Sequence, residues 1–301
     1  MKDLIKFESI RVNVPTHKPG QTGYEEIALT RYYKNLQQLA APVLMVHGVA
    51  QDGRTFYNDQ GEGLAAFLAR QGFDVYVADL RGRGNGWPQI SSRSEFGLHH
   101  WITQDIPACV KALIKKRGDI PQIWIGHGWG GVALTAAYCR FGQQWPVKKI
   151  AYLGCRRKRS VSSWSCRLST LAVPLSYLFG YLPTGRVTST LSNESKQLLR
   201  EQEQWSRSEG WIDPVDGFDY GEASAKITFP PSFYIASDKD GFSHPDDVRA
   251  FMQTLGKHDG RMLLLSKTNG NLRNYDHRAM LLNADCEQDH FQDLIDWFNI
   301  N

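Results

Sequence analysis

The sequence predicts an α/β protein whose mostly parallel sheet is covered by helices on both faces and is interrupted late in the chain by an inserted segment. Three observations carry this. Short apolar runs at 42–46, 73–80, 122–125 and 148–153 are bounded by turn residues and read as strands buried on both faces. Stretches with helical spacing alternate with them. After Gly154 that alternation stops, and it resumes only near residue 228.

In chain order, 5–14 and 26–33 alternate polar and apolar residues, as antiparallel strands with one wet face do. The buried strand 42–46 follows, then a helix near 61–71 and the strand 73–80. Residues 98–117 form a long amphipathic helical pattern in which Pro107 marks either a start or a kink. The strand at 122–125 runs straight into a glycine cluster, the helix 132–141 follows, and 148–153 returns to strand. Residues 155–227 are rich in Arg, Ser, Trp and Pro, with a helical patch at 194–205. Strand and helix then resume at 232–236, 245–255, 261–265 and 284–298. The expected organisation is one core, 1–154 plus 228–301, with a cap or lid at 155–227.

Composition narrows the function classes. With 301 residues, 42% of them hydrophobic and 22% charged, the chain can bury a core without staples. Thirty-five Lys+Arg against 31 Asp+Glu leave only +4, and the basic residues form no long stripe, so no nucleic-acid partner is expected. The five cysteines have no C-x-x-C spacing, which argues against a zinc knuckle or a redox pair and for a reducing compartment. The N-terminal 1–14 lacks the apolar stretch of a secretory signal. The longest apolar stretch, 168–182, is broken by Pro174 and Gly180 and is shorter than the ~20 residues of a membrane span. The expectation is cytoplasmic. No cofactor is implied, because there is no strand-linked G-x-G-x-x-G with a following acid, no P-loop and no metal-ligand spacing.

The most informative segment is Ile125-Gly126-His127-Gly128-Trp129-Gly130-Gly131, between a buried strand and a helix. Small residues at this spacing let a sharp strand-to-helix turn pack, and in the G-x-S-x-G elbow the middle residue is strained and exposed at the sheet's carboxyl edge. Gly126, Gly130 and Gly131 fit that elbow, and on these residues the chain resembles the α/β-hydrolase superfamily from about residue 25 onward. The nucleophile position is Gly128. The resemblance implies the rest of a site in the order 128, 240, 277. His47-Gly48 after a strand implies oxyanion-hole amides at Val49 and Trp129. Asp79-Leu80-Arg81-Gly82-Arg83-Gly84 is similar to the superfamily's D-x-R-G-x-G turn. Asp240, followed by Gly241 and Pro245, is expected as the acid ahead of Asp238, and His277 ahead of the last helix as the base. The segment Leu178-Phe179-Gly180-Tyr181-Leu182-Pro183 with Trp205 and Trp211 is similar to bacterial predicted hydrolases of the esterase/lipase type. The elbow also resembles epoxide hydrolases and haloalkane dehalogenases, which carry Asp at this position, although His47-Gly48-Val49-Ala50 lacks their proline.

Glycine has no side chain with which to attack a carbonyl, so the expectation is an ester-hydrolase relative silenced or impaired at the covalent step. Its ligand would be a small hydrophobic ester or a related molecule. Two alternatives stand beside it. One is a non-catalytic binding or regulatory module using the same pocket. The other is a degenerate epoxide-hydrolase-type enzyme, which needs Asp at 128 and acid tyrosines such as Tyr177 and Tyr181. His277 with Asp240 would retain the means to activate a water. Trp164, Trp205 and Trp211 read either as lid core or as an apolar wall for the ligand. His47 and His127 are expected to hold turns, and His99 and His100 to lie at the surface or face the cap. The basic run 156–159 reads as a solvated face or as a patch that steers an anion.

Overall fold

A computed structural model describes residues 5–16, 23–37, 39–58, 60–159, 165–187 and 191–300, with the backbone alone over 165–171 and at 187. Strands β1 (Lys6–Pro15) and β2 (Tyr24–Tyr33) form an antiparallel pair in register from Lys6 opposite Tyr33 to Pro15 opposite Tyr24. β1 alternates more and less exposed residues, as the period of two requires, whereas β2 is buried without alternation from Ile27 to Arg31, so the wet face expected there is not found. Beyond them come β3 (Pro42–Val46), helix α1 (Leu64–Arg70) and β4 (Asp74–Asp79).

The segment read as one amphipathic helix has three parts: α2 (Leu98–His100), a π-helical turn over Trp101–Asp105, and α3 (Ile106–Arg117). Pro107 explains the division. It has no N–H to donate one turn back and its ring crowds the carbonyl of Thr103, so the chain widens there before α3 begins with proline in its first turn. Strand β5 (Gln122–His127) is followed after one residue by α4 (Trp129–Phe141), which starts three residues earlier than its apolar spacing suggests. Strand β6 (Val147–Leu153) completes this half.

The excursion between β6 and the next sheet strand holds α5 (Ser165–Phe179), β7 (Tyr181–Leu182), α6 (Thr184–Val187), β8 (Glu194–Ser195), α7 (Lys196–Arg207) and α8 (Tyr220–Lys226). β7 and β8 pair as a small antiparallel ribbon. Then follow β9 (Ser232–Ser237), α9 (Pro245–Thr254), β10 (Gly260–Leu265), α10 (Ala279–Leu282) and α11 (His290–Asn299). None of the described helices is long and apolar enough to cross a membrane.

Eight strands form one sheet in the order β1-β2-β4-β3-β5-β6-β9-β10, parallel throughout except for the antiparallel pairing of β2 with both neighbours. Every residue of β3, β4, β5 and β9 is buried, because helices cover both faces. Successive residues of β3 divide between two cores. Leu44 and Val46 pack with α3, α4 and α9, while Val43 and Met45 pack with α1 and α11. Each such fully buried aliphatic side chain contributes about 1.5–3 kcal/mol. Leu198, Trp205, Trp211 and Tyr220 of the excursion belong to the first of these clusters, so among the described residues the excursion shares an apolar core with the sheet.

The basic run after β6 is neither a solvated face nor a steering patch, since Arg156 and Arg157 are buried. The Arg157 guanidinium donates to Trp205 O at 2.8 Å and Ser208 O at 3.1 Å, at the C-terminus of α7. The last carbonyls of a helix have no intrahelical partner and carry the negative end of its dipole, so a buried guanidinium is a fitting cap. Arg159 pairs with Glu203 at 3.0 Å and Lys158 with Glu209. The run bolts the excursion to the end of β6.

Candidate active site

The site lies at the carboxyl ends of β3, β5, β6 and β9. Gly128 links β5 to α4 with φ 53° and ψ −124°, and its N–H donates to Leu153 O at 3.0 Å. An L-residue in this conformation is strained by about 1–3 kcal/mol, which glycine avoids. The turn closes so tightly that a Cβ at Gly126 would stand 2.3 Å from Gly131 Cα. A Cβ at Gly128, in contrast, would stand 3.3 Å from His277 Nε2 and 3.9 Å from Gly48 Cα, so it would point at the imidazole and the β3 loop.

His277 Nδ1 lies 2.7 Å from Asp240 Oδ2. The Asp240 side chain is wholly buried, and its Oδ1 accepts from Phe242 N at 2.8 Å and Ser243 N at 2.9 Å. Such a carboxylate is fixed at both oxygens and fixes the ring in turn. Asp238 is exposed, so Asp240 is the acid that meets the histidine. Gly154 is also part of the site. A Cβ there would come within 2.9 Å of Asp240 Oδ2 and 3.0 Å of His277 Cε1. Its only trace in the sequence is a glycine ending a buried strand.

The neighbouring histidines hold the frame. His47, buried, has Nδ1 2.9 Å from Gly48 O and accepts Leu80 N–H at Nε2, 3.3 Å away. Burial pushes its pKa down to about 4, so the ring is neutral and suited to that acceptor role. His127 sits with Nδ1 2.9 Å from Gln51 Oε1 and Nε2 2.9 Å from the backbone oxygen of His277. Its ring centroid is 4.2 Å from that of His277. Burial, then the neighbouring His277, holds the His127 pKa well below the ordinary histidine value.

Val49 lies in the loop after β3, and Trp129 opens α4. Among the described residues neither of their N–H groups donates to another group, whereas Gly48 N–H donates to Gln51 Oε1 and Ala50 N–H to Glu194 Oε2. Two engaged amides thus bracket the free one at Val49. Cys155 packs against the elbow at Gly131. Its Sγ lies beneath the elbow, 3.2 Å from Gly126 O, and burial pushes the thiol well above its ordinary pKa. A buried neutral thiol is inert.

Trp205 and Trp211 are interior, 1% and 3% exposed. Trp205 stacks on Trp129 at 6.4 Å between centroids and its indole N–H donates to Ile212 O at 2.8 Å. As placed they pack the seam between excursion and core. Trp164 lies outside the described residues. Tyr177 is 54% exposed, with the Lys196 ammonium 5.4 Å from its ring centroid. His99 Nδ1 faces Asp213 Oδ2 of the excursion at 3.0 Å. His99, Asp213 and Asp216 are grouped closely enough to suggest a metal site, but the Arg140 guanidinium occupies both carboxylates at 2.8 Å. A cleft of 360 Å³ lies where Arg186 and Ser192 of the excursion meet Asp52, Arg54 and Gly84 of the core.

A family model described as the alpha/beta hydrolase fold matches residues 41–165. The chain is 30% identical over 105 residues to a tear acid lipase-like protein of Mesocricetus auratus, a match covering 32% of this chain and 26% of that protein. The match therefore spans about a quarter of the length of that relative. A thermophilic esterase from Thermogutta terrifontis superposes with a TM-score of 0.64 at 13% identity, covering 96% of this chain and 98% of the esterase. A homoserine O-acetyltransferase from Staphylococcus aureus gives the same score and identity, covering 99% and 96%. At such identities the likeness shows the fold alone, and the two neighbours' names already span hydrolysis and acyl transfer.

Proposed function

The chain has the α/β-hydrolase fold, and from that premise we propose that it carries the site of a carboxylic-ester hydrolase of the esterase or lipase kind, lacking only the nucleophile. One observation carries the reading. The Asp240–His277 pair, joined at 2.7 Å, presents Nε2 3.3 Å from the point where the Cβ of residue 128 would stand. Residues 155–227 serve this site as a cap in the same proposal, supported by the seam of Arg157, Glu194 and Trp205. The four described cysteines are free, which supports a reducing, cytoplasmic setting.

With serine at 128 the chemistry would run as follows. Oγ attacks the ester carbonyl carbon while His277 Nε2 takes the hydroxyl proton. The carbonyl electron pair moves onto oxygen, where the Val49 and Trp129 amides receive it. Collapse expels the alcohol, which collects its proton from His277, and water then cleaves the acyl-serine by the same route. Asp240 accepts the Nδ1–H and holds the tautomer. With glycine at 128 no acyl-enzyme forms. A second reading draws on the two unengaged amides beside the imidazole, which would hold a carbonyl or carboxylate without turnover. In that case the chain is a binding module for such a ligand.

The test is intact-mass labelling with a fluorophosphonate, on this chain and on Gly128→Ser, with p-nitrophenyl ester turnover alongside. One label and turnover are expected only in Gly128→Ser. A label on the unmodified chain would mean that another nucleophile exists. A folded Gly128→Ser that neither labels nor turns over would leave the binding reading.

A further inference from the structure

Ala50 is the only described residue other than glycine with a left-handed backbone, at φ 56°. Such a conformation is strained for an L-residue and persists only where the surroundings over-determine it. Here the surroundings belong to the excursion. Ala50 N–H donates to Glu194 Oε2 at 2.9 Å, and Ala50 O accepts from Ser192 N at 2.9 Å. Ser192 Oγ donates to Asp52 Oδ2 at 2.6 Å, tying down the far end of the same loop. Glu194 is itself fixed. Its Oε1 pairs with the Arg83 guanidinium and accepts Ser195 N–H at 2.7 Å, and neither the Arg83 nor the Glu194 side chain is exposed to any extent.

We propose that Glu194 is a positioning residue for the oxyanion amide of Val49, so that the oxyanion hole is complete only while residues 192–194 of the excursion are seated on the β3 loop. This rests on the hydrolase-site reading above and adds to it the residue that sets one of its two donors. Gln51 fixes Gly48 N–H on one side of Val49, and Glu194 with Ser192 fixes both backbone groups of Ala50 on the other. The Val49 amide is left free and aimed by its neighbours. An oxyanion donor is useful only when held where charge develops, and losing one costs about 10²–10³-fold in kcat. Unseating 192–194 releases Ala50 from its strained backbone and turns the adjoining peptide away.

Glu194→Gln leaves one acceptor oxygen for the three donors that the carboxylate now serves, Arg83, Ser195 N–H and Ala50 N–H. The paired variant Arg83→Leu/Glu194→Leu removes the clamp without stranding a buried cation, which on its own would be strongly destabilising. Two measurements separate this inference from the reading beneath it. In the unmodified chain, amide hydrogen exchange should rise about tenfold or more at 47–52 in either variant and stay unchanged at 126–131. In Gly128→Ser, either variant should lower kcat for a p-nitrophenyl ester by about tenfold or more with KM within about twofold. It should also shift the acyl-serine carbonyl stretch upward, toward that of a free ester. Unchanged exchange at 47–52 would overturn the clamp. If Gly128→Ser is active and the variants match it in kcat and carbonyl frequency, the positioning role is overturned. If Gly128→Ser itself is silent, the hydrolase reading fails while the exchange result still decides whether the clamp exists.

Discussion

At the scale of single residues, Gly128 separates fold stability from chemistry. Its backbone sits where L-residues are strained, so Gly128→Ala should lower stability by about 1–3 kcal/mol in urea unfolding, and Gly128→Ser by a similar amount. A Cβ 3.3 Å from His277 Nε2 is tight, and the ring must yield by a few tenths of an ångström to admit it. A variant as stable as the parent would mean that the elbow relaxes to an unstrained turn when substituted. Gly128, Asp240 and His277 could be singled out in the sequence because the strand and helix pattern locates the turns they occupy and the resemblance to a hydrolase family supplies the order 128, 240, 277. Ala50 and Glu194 were not. Their relation spans 144 positions, and no periodicity encodes a carboxylate that reaches an amide across that distance.

Among the elements, α7 shows how a charge run can mislead. Four consecutive basic residues suggest solvent, yet Arg157 is 4% exposed and closes the end of a helix. Local sequence gives the charge, and only tertiary packing supplies the carbonyls that accept from it. Arg157→Met should therefore cost about 2 kcal/mol, the range for hydrogen bonds to a charged group, and should speed hydrogen exchange at 203–210 more than elsewhere. Uniform loss of protection across the sheet would instead assign Arg157 to the core as a whole. The π-helical turn at Trp101–Asp105 is a milder case. Pro107 announced an irregularity without saying whether the helix would start or widen there; the structure shows a widened turn over Trp101–Asp105, with Trp101 and Ile102 buried, ahead of α3.

For the whole molecule, the seam between excursion and core carries a titrating contact. Its hydrogen bond to Asp213 raises the pKa of His99 above the ordinary 6.5. Burial alone would raise the Asp213 pKa, but His99, Val215 N–H and Tyr220 outweigh it and bring it to about 2, so this carboxylate stays charged. Arg140 and Tyr220 face the same carboxylate and keep their protons near neutrality. His99 is thus the group that changes. The contribution of its protonated form is full below pH 6.5 and is lost as pH rises through the raised native value. Protease cutting within 208–219, corrected for the protease's own pH profile, should rise across that window and be flat in His99→Gln. A rise of equal size in His99→Gln would place the pH sensitivity elsewhere.

The two bonds that grip Ala50 also have a thermodynamic consequence for any molecule that enters the elbow. If residues 192–194 favour one arrangement of the β3 loop, a ligand that prefers the same arrangement must tighten their grip by the same factor, because binding free energies are reciprocal. Occupancy at the elbow would then be readable at a distance, as slower hydrogen exchange in β8, even in a chain that never turns its ligand over. With glycine at 128, the protein would keep the means to report what it holds.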